Sequence, residues 1–294
     1  MECIIQNEYF KIIANTHGGN IKHIISKKYG EDYLWKGRPF VWKLDTDVLF
    51  PVICKVKDWT YRYQNKEYFM PIHGFASRTR YKIIEYKDDV IAFELKNNSE
   101  SEQIYPFKFS LINKYELKGR EIVSEYTVKN TDDKELYFNL GVHPSFACPM
   151  YGAGDDLEDY YLKFDKKEEK ATILEINDND YLTGNEKIFK ENFDEIEIND
   201  ELFKDGTKIL NNLKSNKVTL ASRKHNRSIT VDFEEFNILS LWGPDRMVDF
   251  ICIEPWNGHA DLDSFTGEIS EKEGIIKLLP GQEKKFKYTI KINE

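Results

Sequence analysis

Three short segments, far apart in the chain, each place one proton-transferring side chain beside Gly or Pro and bulky apolar residues. The segments are 72–75 around His73, 141–146 around His143 and 251–256 around Glu254. Such surroundings are typical of a titratable group at the rim of a half-buried pocket. Two histidines and a glutamate are sufficient for general acid–base catalysis, in which one side chain removes a proton while another donates one.

The two histidines differ in their local setting. His73 lies in a His-Gly-Phe sequence, which is typical of a turn histidine whose ring is satisfied by backbone groups. His143 follows the strand-like run 137–142 and precedes Pro144, which predicts a position where a strand ends at the rim of a sheet. Local sequence therefore favours a catalytic role more strongly for His143 than for His73.

Glu254 has the sharpest local signal of the three. The apolar run 250–253 predicts a buried strand, and a carboxylate at its end, before Pro255 and Trp256, would be partly desolvated. Desolvation raises the pKa of a carboxyl group towards the range that suits a general base. An ion pair with a nearby Arg or Lys is an equally open interpretation of the local sequence.

The elements that must position these groups are strands. Apolar and polar residues alternate with a period of two in five stretches, 89–96, 107–117, 122–129, 228–233 and 285–292. No comparable stretch has a clean apolar period of 3.6 residues. Turn residues, such as those at 118–120, 130–133 and 280–281, separate the predicted strands. Many strands with short turns indicate a sandwich or barrel.

Residues 150–205 differ from the rest because mixed-charge and acidic runs dominate them. Apolar anchors between 160 and 174 predict a long excursion from the sheets rather than a linker. The chain has no internal repeat and no low-complexity tail. One domain over residues 1–294 is the resulting prediction.

Composition excludes several classes of function. The 294 residues carry a net charge of −9, which provides no basic surface for nucleic acid or an anionic membrane. The N-terminus lacks the pattern of a signal peptide and no apolar run is long enough to span a membrane, so we expect a cytoplasmic protein. Four scattered cysteines indicate neither a zinc site nor a disulfide framework, and we expect them to be reduced and mostly buried.

Further motifs run through the chain in a characteristic order. They are Gly18-Gly19-Asn20-Ile21, Tyr33-Leu34-Trp35-Lys36-Gly37, Leu49-Phe50-Pro51-Val52, His73-Gly74-Phe75, Tyr105-Pro106-Phe107, the segment 139–146, Phe203-Lys204-Asp205 and the segment 252–256. Their order and spacing resemble the aldose 1-epimerase (galactose mutarotase) family, in particular its LacX-like branch, over essentially the whole chain.

The resemblance implies an all-β, galactose mutarotase-like β-supersandwich in a single domain. It also implies an isomerase that interconverts the α and β anomers of a free aldose without a cofactor. By this resemblance, Glu254 is the base that removes the proton from the C1 hydroxyl, and His143 is the acid that protonates the ring oxygen. His73 is implied to contact the sugar near that oxygen, and Asp205 to bind substrate hydroxyls.

Two positions depart from the family pattern. Lys55 aligns where these enzymes usually carry an arginine, so it is implied to contact the sugar without the planar fork of a guanidinium. Ser77 stands where LacX-like chains often have arginine directly after His-Gly-Phe-Ala, and Arg78 and Arg80 lie close by. The chain has only eight arginines and an acidic balance, so we favour a neutral hexose over a 6-phosphorylated one.

Other aromatic and ionisable residues have mainly structural interpretations. Trp42 is predicted to be a core or rim residue, whereas Trp242 or Trp256 could also pack against the C–H face of a sugar. His259 follows the Glu254 segment closely enough to approach the site. Asp245 is predicted to be a solvated charge near a turn.

Two alternatives from other classes stay open at this point. A non-catalytic sugar-binding protein could keep the same fold, although binding alone needs no acid–base pair. His73, His143 and Glu254 could instead form a two-histidine, one-carboxylate metal site. Such sites usually keep two ligands close in sequence on one hairpin, and no His-x-His or His-x-Glu occurs here, so we expect a metal-free site.

Overall fold

Alternation in the sequence is reproduced in the strands. The stretch predicted at 122–129 forms the strand Glu121–Asn130, in which Ile122, Ser124, Tyr126 and Val128 are all buried. Alternate side chains of a strand point to opposite faces of a sheet, so this pattern places one face against the core. The computed structural model describes residues 1–37, 46–244 and 249–294. The predictions for Trp42 and Asp245 concern positions outside these ranges.

The described residues form 21 strands, named here in chain order. The first eleven are β1 Glu2–Gln6, β2 Phe10–Asn15, β3 Asn20–Ser26, β4 Thr46–Leu49, β5 Thr60–Tyr63, β6 Lys66–Phe69, β7 Lys82–Tyr86, β8 Val90–Lys96, β9 Phe109–Lys118, β10 Glu121–Asn130 and β11 Leu136–Phe138. The others are β12 Leu140–Ala147, β13 Tyr160–Ile176, β14 Leu182–Glu197, β15 Lys208–Asn211, β16 Lys217–Ser222, β17 Ser228–Asp232, β18 Ile238–Trp242, β19 Phe250–Asn257, β20 Ile276–Leu278 and β21 Glu283–Asn293.

Helical structure in the described residues is short. One α-helix, α1, covers Ser101–Ile104, and 3₁₀ turns cover Lys57–Trp59, Ala76–Arg78, Leu157–Asp159 and Ile269–Glu271. Within this part of the chain, no helix is long and apolar enough to cross a membrane.

Fourteen described strands form one continuous sheet. Its order is β4-β12-β19-β18-β15-β13-β16-β17-β21-β10-β9-β8-β7, with β14 beside β13. Three smaller sheets join β1-β2-β3, β11-β20 and β5-β6. The architecture is a single-domain, all-β supersandwich, which confirms the predicted fold class.

Strand β13 connects two regions of the main sheet. Its residues 160–164 pair with β16, whereas Thr172 and Ile173 pair with β15. Its register with β14 shifts between these two regions. The first half of β13 therefore extends one part of the sandwich, and the second half extends the part that contains β12, β18 and β19.

A cluster of aromatic side chains fills the core close to the His-Gly-Phe segment. The ring of Phe50 lies 5.1 Å from that of Phe109, 5.7 Å from that of Phe138 and 6.3 Å from that of Phe75, measured between centroids. All four side chains are buried. The residue directly after His73-Gly74 is thus fixed in the core, which holds the preceding histidine at the edge of that core.

Five predicted strands are confirmed with small shifts at their ends, as β8, β9, β10, β17 and β21. The prediction that strands end at His143 and before Glu254 is wrong. Strand β12 continues through Pro144 to Ala147, and β19 continues through Pro255 to Asn257. Proline lacks an N–H group but keeps an extended backbone, so here each proline lies within a strand that is paired on both sides.

The predicted excursion of residues 150–205 is also wrong in part. Most of this segment is the long hairpin of β13 and β14, which belongs to the main sheet. The apolar anchors Tyr160, Leu162 and Phe164 are buried, as expected. The charged residues that suggested an excursion lie mostly on the exposed positions of the hairpin. The four cysteines are free, and three of them are buried.

Candidate active site

Three neighbouring strands of the main sheet, β12, β19 and β18, have one apolar face towards the core and a second face that carries His143 and Glu254. The register of β12 against β19 places His143 directly across from Glu254. The pairs on either side of this position are Gly141 with Trp256 and Ser145 with Cys252. Alternate positions face the core and are buried apolar residues: Val142, Phe146, Leu239, Leu241, Ile251 and Ile253. Strand pairing thus brings together two proton-transferring groups that are 111 residues apart in sequence.

His143 and Glu254 form a close, buried pair. Nε2 of His143 lies 3.3 Å from Oε2 of Glu254, and the side chains are 10% and 1% exposed, respectively. Burial raises the pKa of the Glu254 carboxyl well above its ordinary value of 4.5. Burial, together with the nearby His73, lowers the pKa of His143 well below 6.5. Both groups are thus driven towards their neutral forms, in which Glu254 is protonated and His143 is uncharged.

His73 is held by a strained loop beside this pair. Its φ angle is 61°, and Gly74 follows with φ of 73°. A Cβ atom at Gly74 would lie 2.1 Å from the carbonyl oxygen of Phe50, so only glycine fits there. The N–H groups of Phe75 and Ala76 both donate to that same oxygen, at 3.1 and 3.2 Å. The His-Gly-Phe sequence therefore encodes one specific backbone path.

A backbone hydrogen bond fixes the tautomer of His73. The N–H of Cys54 donates to Nδ1 of His73 at 3.1 Å, while the N–H of His73 donates to the carbonyl oxygen of Cys54 at 2.9 Å. Since Nδ1 accepts a hydrogen bond, the proton of the neutral ring is on Nε2. Burial, and to a smaller extent the charge of Arg78, lowers the pKa of His73 to about 4. At neutral pH this ring is an uncharged hydrogen-bond donor, 5.7 Å from the His143 ring between centroids.

All three groups line one cavity of about 340 Å³, a size typical of small-molecule sites. Its lining is Cys54, Ile72, His73, His143, Ile176, Asp180, Thr207, Ile209, Trp242, Glu254, Trp256 and Ala260. Oε2 of Glu254 faces Nε2 of His143, and a side-chain hydrogen bond with Trp256 opposes part of the rise in the pKa of Glu254. These buried polar groups line the cavity, where hydroxyl groups of a ligand can exchange hydrogen bonds with them.

Trp256 depends on a glycine in the neighbouring strand. A Cβ atom at Gly141 would lie 2.7 Å from Cδ1 of the Trp256 ring and 3.0 Å from Cδ1 of Ile53. The indole therefore packs across Gly141, in the row adjacent to that of His143 and Glu254. Both tryptophans predicted as possible sugar-packing residues, Trp242 and Trp256, are part of the cavity wall.

The structure does not bring every predicted site residue into this cavity. Asp205 lies on an exposed turn after β14 and is absent from the lining. Lys55 is also absent, since its Nζ donates to the carbonyl oxygen of Asn179 at 3.1 Å. The buried His259 lies outside the lining and contacts the carbonyl oxygen of Ala260 through Nδ1 at 2.8 Å. The sugar-binding roles of Asp205 and Lys55 stay predictions.

Sequence reasoning missed Asp180, which does line the cavity. Asp180 belongs to the turn between β13 and β14, the hairpin that was predicted to leave the sheets. The run Asn177 to Asp180 is a recognisable turn sequence. No local signal in that run shows which cavity the turn faces.

One group of side chains in the site could hold a metal ion. The ligand atoms of His143, Cys252 and Glu254 lie within 4.8 Å of one another. This set contains Cys252 in place of the His73 considered from sequence. Burial, with a smaller effect of the Glu254 charge, raises the pKa of the Cys252 thiol well above 9.0, so the thiol is protonated at neutral pH. A metal on this set would occupy the same atoms that carry protons, so the two uses exclude each other.

The fold is that of a known family. The aldose 1-epimerase family model matches residues 2–277. The chain belongs to the aldose 1-epimerase family. It is 31% identical over 299 residues to the chromosomal protein LacX of Lactococcus lactis subsp. lactis, and 31% identical to the plasmid form. Each alignment covers 99% of both chains.

Solved structures of similar proteins have the same fold. A galactose mutarotase related enzyme from Lactobacillus acidophilus superimposes with a TM-score of 0.94 at 29% identity, covering 100% of this chain and 98% of that one. A galactose mutarotase-like protein from Lactobacillus casei ATCC 334 superimposes with a TM-score of 0.93 at 28% identity, covering all of both chains. The aldose 1-epimerase resemblance read from the motifs, including its LacX-like branch, is confirmed.

Proposed function

We propose that this member of the aldose 1-epimerase family is an isomerase that interconverts the α and β anomers of a neutral hexose. The observation that carries the proposal is the 3.3 Å separation between Nε2 of His143 and Oε2 of Glu254 in the cavity wall. The C1 hydroxyl and the ring oxygen of a pyranose are bonded to the same carbon. An acid and a base that serve both oxygens must therefore be close together, each within about 2.6–3.2 Å of its own oxygen.

Ring opening uses the pair with its proton on His143. Glu254 removes the proton of the C1 hydroxyl while His143 donates its proton to the ring oxygen. The C1–ring oxygen bond breaks, C1 becomes an aldehyde carbon, and the ring oxygen becomes a hydroxyl. The Nε2–H group of His73 donates a hydrogen bond near the ring oxygen without changing its own protonation, because this ring is already neutral.

Ring closure uses the opposite protonation state. After rotation about the C1–C2 bond, Glu254 returns its proton to the aldehyde oxygen and His143 removes the proton of the hydroxyl that attacks C1. Burial favours this state, with Glu254 protonated and His143 neutral, in the absence of sugar. Substrate hydroxyls that donate to the Glu254 carboxylate favour the ionised state needed for opening. The reaction therefore needs one shared proton and no net exchange with solvent.

The charges around the cavity support a neutral substrate. Among the described lining residues there are two carboxylates, Asp180 and Glu254, and no Lys or Arg. Arg78 is exposed and its Nη1 donates to backbone carbonyl oxygens of its own loop, at 3.2 and 3.4 Å. Lys55 is bonded to the carbonyl of Asn179. A sugar phosphate normally requires clustered cationic donors, which this lining does not offer.

Anomer exchange measured by NMR saturation transfer tests the proposal. We expect exchange with glucose or galactose, with kcat/KM at least about tenfold higher than for the corresponding 6-phosphate at low ionic strength. Chelator-treated protein should retain the same rate.

Each contrary result identifies a specific alternative. A tenfold preference for a 6-phosphate would contradict the neutral substrate. Activity lost with a chelator and restored by added metal would favour the His143, Cys252 and Glu254 metal site. Sugar binding without exchange would favour a non-catalytic sugar-binding protein.

A further inference from the structure

The turn between β13 and β14 forms part of the cavity wall. Asp180 lies in this turn and lines the cavity together with His143 and Glu254. Its φ angle is 64°, in the left-handed region that Asp and Asn adopt more readily than most residues. Asp180 is exposed at the cavity rim, and its charge is among those that influence Cys54, another lining residue. A carboxylate is thus placed at the opening of the cavity.

Hydrogen bonds within the turn fix its shape. Oδ1 of Asn177 accepts from the N–H groups of Asn179 and Tyr181, at 2.9 and 3.2 Å. The N–H of Asp180 donates to the carbonyl oxygen of Asn177 at 3.0 Å. The N–H of Asn177 donates to the carbonyl oxygen of Tyr181 at 2.9 Å. These bonds fix the backbone at Asp180, the residue that lines the cavity.

Contacts from outside the hairpin hold this turn against the rest of the site. Nζ of Lys55 donates to the carbonyl oxygen of Asn179 at 3.1 Å and lies 4.9 Å from the centre of the Tyr181 ring. The hydroxyl of Tyr181 accepts a hydrogen bond from the N–H of Asp58 at 2.9 Å. Lys55 directly follows Cys54, whose N–H fixes the ring of His73. One short segment thus anchors both a site histidine and the turn that carries Asp180.

We infer that Asp180 is a specificity-determining ligand of the substrate, and that Lys55 is the residue that positions it. This inference rests on the proposed function and extends it. A rim carboxylate accepts hydrogen bonds from sugar hydroxyls distant from the reacting carbon, and it repels a phosphate group. The family resemblance gives hydroxyl binding to Asp205, which lies outside the lining. The cationic side chain of Lys55 acts on the protein backbone instead of on the sugar.

The substitution Asp180→Asn tests the first half of this inference. Asn has the same size and also tolerates positive φ, so the change removes the charge and leaves the turn intact. We expect KM for the preferred neutral hexose to rise about tenfold, with kcat changed by less than about threefold. The preference for the hexose over its 6-phosphate should fall about tenfold. Asp178→Asn, an exposed change of the same charge in the same turn, is the matched control and should change neither value.

Lys55→Met and Lys55→Arg test the second half. Met removes the donor to the Asn179 carbonyl, so KM should rise about as much as in Asp180→Asn, with kcat again little changed. The double variant should be no worse than either single variant, because both changes act through one group. Arg keeps a donor and should restore most of the lost affinity. Additive effects, or a loss confined to kcat, would overturn the positioning role.

A binding measurement separates this inference from the proposed function. Trp242 and Trp256 lie in the cavity wall, so tryptophan fluorescence reports sugar binding without turnover. If the wild-type protein binds a neutral hexose without exchanging its anomers, and Asp180→Asn weakens that binding, the proposed function fails and the inference stands. If Asp180→Asn behaves like Asp178→Asn in both KM and Kd, the inference is overturned. A wild-type protein that binds no neutral hexose overturns both.

Discussion

At the scale of single residues, the proposed chemistry depends on two buried groups, and burial shifts the pKa of each. His143 and Glu254 are 3.3 Å apart and almost fully shielded from solvent. In water, a histidine and a glutamate would hold one proton together only between pH values near 4.5 and 6.5. Burial opposes both the cation at His143 and the anion at Glu254, so it favours the state in which Glu254 holds the proton and His143 is neutral.

The substitution Glu254→Gln tests the base directly. Gln keeps the shape of Glu254 but cannot accept the proton of the C1 hydroxyl, so kcat for anomer exchange should fall by at least about 10²-fold. KM should change much less, because most hydroxyl contacts are kept. Glu158→Gln, at an exposed residue, is the control for the loss of a carboxylate and should leave kcat unchanged. Near wild-type turnover in Glu254→Gln would contradict its assignment as the base.

In the pH profile of kcat/KM, the acid limb should lie below pH 6.5 and the alkaline limb above pH 4.5. The pair gains a second proton only below the ordinary pKa of histidine, 6.5, since burial lowers the pKa of His143. It loses its last proton only above the ordinary pKa of glutamate, 4.5, since burial raises the pKa of Glu254. Stopped-flow polarimetry from pH 4 to pH 10 measures the profile. An acid limb centred near 6.5 would instead indicate a solvated histidine as the acid.

At the scale of elements, pairing of strands determines which side chains meet. β12, β19 and β18 are adjacent, so every second residue of each strand contributes to the face that carries His143 and Glu254. The sequence indicated His143 and Glu254 as strand-associated residues but placed both at strand ends, because Pro144 and Pro255 are read as strand breaks. The facing partner of each strand is a long-range property that period-two alternation does not encode.

The substitution Gly141→Ala tests the packing between β12 and β19. The added Cβ meets the Trp256 ring at 2.7 Å, so the indole must shift or the strands must separate. Overpacking of this kind costs about 1–3 kcal/mol, and we expect a lower Tm together with a raised KM. Adding Trp256→Phe, which gives a smaller ring, should recover part of the lost Tm. Calorimetry and steady-state kinetics measure both effects, and a fully additive double variant would contradict the proposed contact.

At the scale of the whole molecule, the sequence predicted the fold class and the acid–base pair, while the cavity needed the structure. Alternation in β10 and β21 was visible because one face of each strand is exposed to solvent. The hairpin of β13 and β14 was hidden by its charges, and most residues of β14 are exposed. Asp180 was missed because the sheet that receives this hairpin is assembled from strands distant in sequence. Its place beside the cavity therefore depends on long-range pairing.

The separation between sheet and hairpin has a consequence for how this protein could change through evolution or engineering. The groups assigned to proton transfer lie on strands paired on both sides, where most substitutions disturb packing. Asp180 instead lies in a five-residue segment, 177–181, whose ends are joined by a backbone hydrogen bond. Such a segment can be exchanged as a cassette. Sugar preference could then diversify among relatives while the sheet that carries His143 and Glu254 stays constant.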